Sequence, residues 1–211
     1  MSCLETIWIA VRRWKYCVVP ERREDDRRVP GTDVMLLELV VAALESLGTP
    51  FAVIGGQAVA MRGHPRLTVD YDFLTADRRV FEREMWTSLE EKGAIIDVRK
   101  GDPEDPLAGV IHITLLHERD ADVVVAKWKW EQAVIERAER LLLQGIPVPV
   151  PRTSDLILLK LAAGGYLDLQ DVYALLHAGH REQLIREVDH FIDALPADAQ
   201  ESWKHIATGL A

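Results

Sequence analysis

A short apolar run ends in two glycines, restarts as a helix of small residues, and is followed by a strand with acids at alternate positions. The segments are Val53-Ile54-Gly55-Gly56-Gln57-Ala58-Val59-Ala60 and Thr68-Val69-Asp70-Tyr71-Asp72-Phe73-Leu74. Side chains two apart on a strand share a face, so Asp70 and Asp72 point together. Glycines at a strand-to-helix junction turn backbone N–H groups toward one point, a ready anion site. The Gly-Gly pair alone is a weak signal; its order with Asp70-x-Asp72 is the stronger constraint.

Around this unit the apolar pattern alternates between helical and extended periods. Val34 to Leu47 reads as a helix capped by Thr32 or Asp33 and closed by Gly48. Strands are expected over 51–54, 68–74, 95–98, 110–116 and 122–126, and charged amphipathic helices over 78–92 and 130–138. Residues 140–150 hold the Gly145 turn between two short extended pieces, where Pro147, Pro149 and Pro151 suit an edge. Helices follow over 155–163, 169–178 and 182–195, with a last stretch near Trp203.

Residues 20–32 are charged, bounded by prolines and poor in large apolar side chains, so they read as a linker. Ahead of them Trp8, Trp14 and Tyr16 show no clear period, as in a docking arm or a loosely held extension. The expected division is an extension and linker over 1–31, a core over 32–152 and a helical part over 153–211 packed on that core. A chain of 211 residues is long enough for one such core with helical additions.

Charge limits the partners. A net charge of −9 argues against broad nonspecific nucleic-acid binding, which needs a basic surface to release phosphate counterions. No apolar run approaches the ~20 residues that cross a bilayer, and no membrane partner is expected. The start has Glu5 inside its apolar stretch and Arg12-Arg13 after it, the reverse of a secretory signal. Cys3 and Cys17, the two cysteines, offer neither a disulfide framework nor a zinc site and suit a reducing cytoplasm.

Asp-x-Asp on one strand face is a hard-oxygen donor set, suited to magnesium whose shell substrate phosphates complete. The same pair at a strand end is compatible with a solvated edge. Asp122 leads the apolar strand 122–126, where an acid is costly unless paired or metal-bound; capping a turn after Asp120 is the alternative.

Together these motifs resemble the nucleotidyltransferase superfamily. The resemblance runs from Gly55-Gly56 through Asp70-x-Asp72 and the acid-led strand at Asp122 to Val148-x-Val150-Pro-Arg-Thr-Ser-Asp155-Leu-Ile-Leu-Leu-Lys160 and Asp168-x-x-Asp171. It is closest to the branch containing AbiEii-type toxins of abortive-infection and toxin–antitoxin systems. What it implies is an α+β fold with a mixed sheet flanked by helices and a C-terminal helical part. Asp70, Asp72 and Asp122 would then be catalytic and hold two magnesium ions, with Asp122 helping to deprotonate the acceptor. Gly55, Gly56, Lys160 and Asp168 would bind a nucleoside triphosphate. The implied reaction moves a nucleoside monophosphate from the triphosphate to an RNA end or a protein hydroxyl, and an antitoxin is the implied partner.

One departure from the family stands out. Many relatives have basic residues just before the acid matching Asp168, where this chain reads Gly164-Gly165-Tyr166-Leu167. That leaves room for a catalytically weak nucleotidyltransferase-like binding protein. Arg62, His64 and Arg66 could supply the missing charge, Arg66 as a nucleotide-binding residue, or could be exposed loop residues. Lys160 is also compatible with a lysine snorkelling from an apolar helix face, and Asp168 with the N-cap of helix 169–178. Lys127-Trp128-Lys129-Trp130 interleaves charge and aromatics as nucleic-acid contacts do, but is expected to pack the start of helix 130–138. His112, His117, His177, His180, His190 and His205 show no metal-ligand spacing and are expected to be surface or core histidines.

Overall fold

The computed structural model describes residues 35–209; the expected extension and linker over 1–31 lies outside them. The chain runs α1 (Met35–Ser46), β1 (Phe51–Val53), α2 (Gly55–Met61), β2 (Asp70–Thr75), α3 (Thr87–Glu90), β3 (Ile95–Lys100), β4 (Gly109–Thr114) and β5 (Asp120–Val125). It continues with α4 (Lys129–Glu136), β6 (Glu139–Leu143), β7 (Ile146–Val150), α5 (Thr153–Ala163), α6 (Tyr166–Ala178), α7 (Arg181–Asp189) and α8 (Ala197–Thr208).

Five strands form a mixed sheet in the order β1-β2-β5-β4-β3, with β2 and β5 parallel and the other neighbours antiparallel. β6 and β7 form a separate hairpin. Tyr71, Phe73, Ala121 and Val123 alternate with the acids and bury completely. They join an apolar cluster fed by α1 (Leu36, Leu37, Val40, Leu44) and by the C-terminal helices (Leu156, Ile157, Val172, Trp203). The hairpin tip reaches the same strand, where Tyr71 Oη donates to Gln144 Oε1 at 3.0 Å.

Polar ties join α5 to the end of α4, and the end of α2 to the hairpin of β6 and β7. Asp155 on α5 is 1% exposed and receives Arg137 from the end of α4 through Nη2 at 2.6 Å and Nε at 3.2 Å. Arg62, at the end of α2, donates to the carbonyls of Pro151 and Val150 and pairs with Glu139. Breaking a buried pair leaves a carboxylate without compensation. Arg137→Ala is therefore expected to destabilise the fold by about 3 kcal/mol, read as a lowered denaturation midpoint, whereas Arg140→Ala, which removes an exposed pair with Glu45, should cost well under ~1 kcal/mol.

Three local expectations are corrected. Residues 78–92 do not form one helix: two 3₁₀ turns, Arg78–Phe81 and Arg83–Trp86, precede the single turn of α3, with an extended Glu82 between them. The fold-back buries Val80 and Trp86 together, with Trp86 Nε1 donating to the Val80 carbonyl at 2.9 Å, so tertiary burial overrides the helical period. Helix 182–195 stops at Asp189, whose carboxylate accepts from Trp203 Nε1 at 2.7 Å, and only a 3₁₀ turn follows at Ile192–Ala194. Of the two tryptophans expected to pack the start of α4, Trp130 packs against the core and Trp128 does not. It is 53% exposed and donates to the Pro106 carbonyl, while Lys127 Nζ is engaged by the carbonyls of Asp102, Pro103 and Asp105. Loop 101–106 takes up the charge that a nucleic-acid contact would need.

Candidate active site

The parallel pairing of β2 with β5 puts Asp70 opposite Asp120 and Asp72 opposite Asp122. With the period-2 alternation along β2, this register brings Asp70, Asp72 and Asp122 to one face at one end of the sheet. One carboxylate oxygen from each lies within 4.8 Å of the other two. Such a set of hard, anionic oxygens fits magnesium or another divalent ion.

The glycine turn is built against this cluster. Gly55 has φ +63°, and a Cβ there would stand 1.9 Å from Asp72 Oδ2. The backbone therefore lies where any other side chain would fill the cradle beside the carboxylate. Gly56 packs less tightly on the next segment, where a Cβ would stand 2.9 Å from Thr68 Cβ and 3.0 Å from Arg66 Nη1. The turn is tied to the acid strand by the Ile54 N–H, which donates to the Asp72 carbonyl at 2.8 Å.

His112 was not singled out by spacing. On β4 it pairs directly with Asp122, and its Nδ1 lies 2.7 Å from Asp122 Oδ1. The hydrogen bond to Asp122 raises the imidazole pKa above its ordinary value, against the opposing effect of burial. His112 thus fixes one oxygen of the third carboxylate. The only sequence signal was alternation along 110–116, which says nothing about the partner strand.

Lys160, Asp168 and Arg66 form a second cluster around Asp171. Lys160 is 7% exposed, and its Nζ meets Asp168 Oδ1 at 2.7 Å and Asp171 Oδ2 at 2.9 Å. Burial pushes its pKa down, but the charges and hydrogen bonds of the two acids outweigh this and leave it raised. Arg66 donates Nε and Nη2 to the two oxygens of Asp171, at 2.9 and 3.1 Å. Helix α6 begins at Tyr166, so Asp168 sits inside its first turn rather than at the N-cap. Lys160 does not snorkel to solvent, and Arg66 is not a free loop charge.

No protein-family model matches the sequence, and no curated protein matches it. Solved structures do match. ANT(2'')-Ia in complex with adenylyl-2''-tobramycin is 17% identical, with a TM-score of 0.52 over 77% of this chain and 98% of that one. The lincomycin-bound lincosamide antibiotic adenylyltransferase LnuA is 16% identical, with a TM-score of 0.46 over 68% and 96% of the two chains. A nucleotidyltransferase-like protein from Paracoccidioides brasiliensis is 16% identical, with a TM-score of 0.45 over 82% and 93%. The chain has a nucleotidyltransferase fold: a mixed five-stranded sheet flanked by helices. The α+β class expected from the sequence is the one observed.

Proposed function

We propose that this chain is a metal-dependent nucleotidyltransferase that moves a nucleoside monophosphate from a triphosphate to a hydroxyl. The observation that carries this is the convergence of Asp70, Asp72 and Asp122 within 4.8 Å beside a glycine turn that leaves room for nothing but backbone. The three aspartates would hold two magnesium ions, which when bound stabilise the entering and leaving oxygens of an in-line displacement. Asp122 accepts the proton of the attacking hydroxyl, its orientation held by His112. The hydroxyl oxygen bonds to the α-phosphorus, the α–β bridge breaks, and pyrophosphate leaves. Gly55 and Gly56 bring backbone to the phosphates, and Lys160 with Asp168 faces them from the helical half. Positioning and charge neutralisation supply most of the rate in such chemistry.

The acceptor in this reading is an RNA end or a protein hydroxyl. The order Gly55-Gly56, Asp70-x-Asp72, Asp122, Lys160, Asp168-x-x-Asp171 supports an AbiEii-type toxin acting in the cytoplasm under an antitoxin. Among the described residues no helix is long and apolar enough to cross a membrane.

A second reading, a catalytically weak nucleotide-binding protein, is favoured by one observation. Lys160 is compensated by Asp168 and Asp171 and Arg66 by Asp171, and Gly164-Gly165-Tyr166-Leu167, just ahead of Asp168, adds no positive charge. Incubation with each labelled ribonucleoside triphosphate, magnesium and a cell extract separates the two. Label entering RNA or protein, dependent on magnesium, is expected. Nucleotide binding without any transfer selects the second reading, and absence of both removes the nucleotidyltransferase assignment.

A further inference from the structure

Asp171 is buried to 2% exposure on α6, and no step above uses it. Its Oδ1 accepts from Arg66 Nε at 2.9 Å, and its Oδ2 accepts from Arg66 Nη2 at 3.1 Å and pairs with Lys160 Nζ at 2.9 Å. Arg66 lies in the connection ahead of β2, 105 residues before Asp171, and Lys160 on the neighbouring helix α5, so one carboxylate joins the two C-terminal helices to the approach to β2. Arg66 Nη1 stands 3.0 Å from the Cβ position of Gly56, and Thr68 packs on that same glycine. Thr68 Oγ1 donates to Asp70 Oδ1 at 3.2 Å. Ion pairs therefore tie Lys160, Asp171 and Arg66 together, and Arg66 and Thr68, the latter bonded to Asp70, line the space where a side chain on Gly56 would go.

The geometry points to Asp171 as a positioning residue that holds Arg66 against the glycine turn and Lys160 beside Asp168, shaping the triphosphate pocket. A planar guanidinium gripped by two oxygens cannot rotate as a singly bonded one can, so Arg66 braces Gly56 instead of serving as a mobile phosphate ligand. Asp171 does not touch the reacting atoms; it acts through the two cations. The identity of the pocket rests on the nucleotidyltransferase reading, whereas the bracing of the turn does not.

The sign of one effect separates positioning from mere proximity. Were Asp171 only a nearby charge, removing it would strengthen binding of a polyanion. As a positioning residue, its neutralisation weakens binding because both cations lose their fixed geometry. D171N is suited to the test because it keeps the side-chain shape and an oxygen acceptor while losing the charge. R66K, which keeps the charge but loses the two-pronged grip, serves if D171N does not fold.

Backbone hydrogen exchange on the protein without nucleotide reads the bracing directly. D171N, or R66K in its place, should speed exchange of the hydrogen-bonded α2 amides at residues 58–61 by about tenfold or more while amides of β4 stay unchanged. Affinity for magnesium with each of the four ribonucleoside triphosphates should fall about tenfold in the same variant. In an R66Q background D171N should lower it less than in the wild type, because part of its effect runs through Arg66. Unchanged exchange at 58–61 overturns the role, whatever the nucleotide result. Triphosphate affinity equal to or above wild type overturns it as well. A wild-type protein that binds no triphosphate sinks the nucleotidyltransferase reading instead, and the exchange measurement still decides the role of Asp171.

Discussion

Gly55→Ala is expected to disable the site without removing any functional group. At φ +63° an alanine pays roughly 1–2 kcal/mol for its backbone alone. Its methyl would also stand 1.9 Å from Asp72 Oδ2, so either the turn or the carboxylate must move. A shift near 1 Å at a reaction centre costs on the order of 10²-fold in rate, and transfer should fall at least that far. Gly48→Ala provides the control. Gly48 has φ +59° with nothing within 4 Å of its Cβ position, so it carries the backbone strain without the collision. Both variants should lose stability in thermal unfolding, Gly55→Ala more, and only Gly55→Ala should lose transfer. Equal activity in the two would mean that the turn does not set the position of Asp72.

Replacing Asp70 or Asp72 with alanine should abolish magnesium-dependent transfer, a larger loss than the roughly 10²–10³-fold that removing one stabilising donor costs. The metal-free fold should keep its stability or gain slightly, because three carboxylates gathered within 4.8 Å repel one another when no cation sits between them. Asp122→Ala should abolish transfer and also remove the partner of His112 at 2.7 Å, so its denaturation midpoint should drop. Comparing activity and denaturation across the three variants tests both statements. A large stability loss in Asp70→Ala and Asp72→Ala, with transfer retained, would make the carboxylates structural.

The features legible in the sequence were those whose signal is local. Gly55-Gly56 and Asp70-x-Asp72 could be read because a strand has a fixed two-residue period and a sharp turn admits few residues. The helices expected over 155–163 and 169–178 are present, although α5 begins two residues and α6 three residues earlier, which places Asp168 inside the first turn and not at the cap. No single helix forms over 78–92 because burying Trp86 against Val80 outweighs a regular charged pattern. Trp128 failed because its indole N–H found a carbonyl in loop 101–106. In both cases a contact with a distant or folded-back segment decided the outcome.

The sequence by itself determined the local chemistry: where the chain turns, which strand carries two acids on one face, and which helix carries a lysine among leucines. Tertiary structure decided which of those groups meet. Asp122 joins Asp70 and Asp72 because β2 and β5 pair in parallel in one register, and a shift of a single residue would send its carboxylate to the buried face. His112 reaches Asp122, and Asp171 gathers Arg66 and Lys160, because the sheet and the helices bring together positions up to 105 residues apart. Periodicity is a property of neighbours along the chain. Ion pairing between remote strands and helices depends on how the whole apolar core closes, and no short window of residues encodes it.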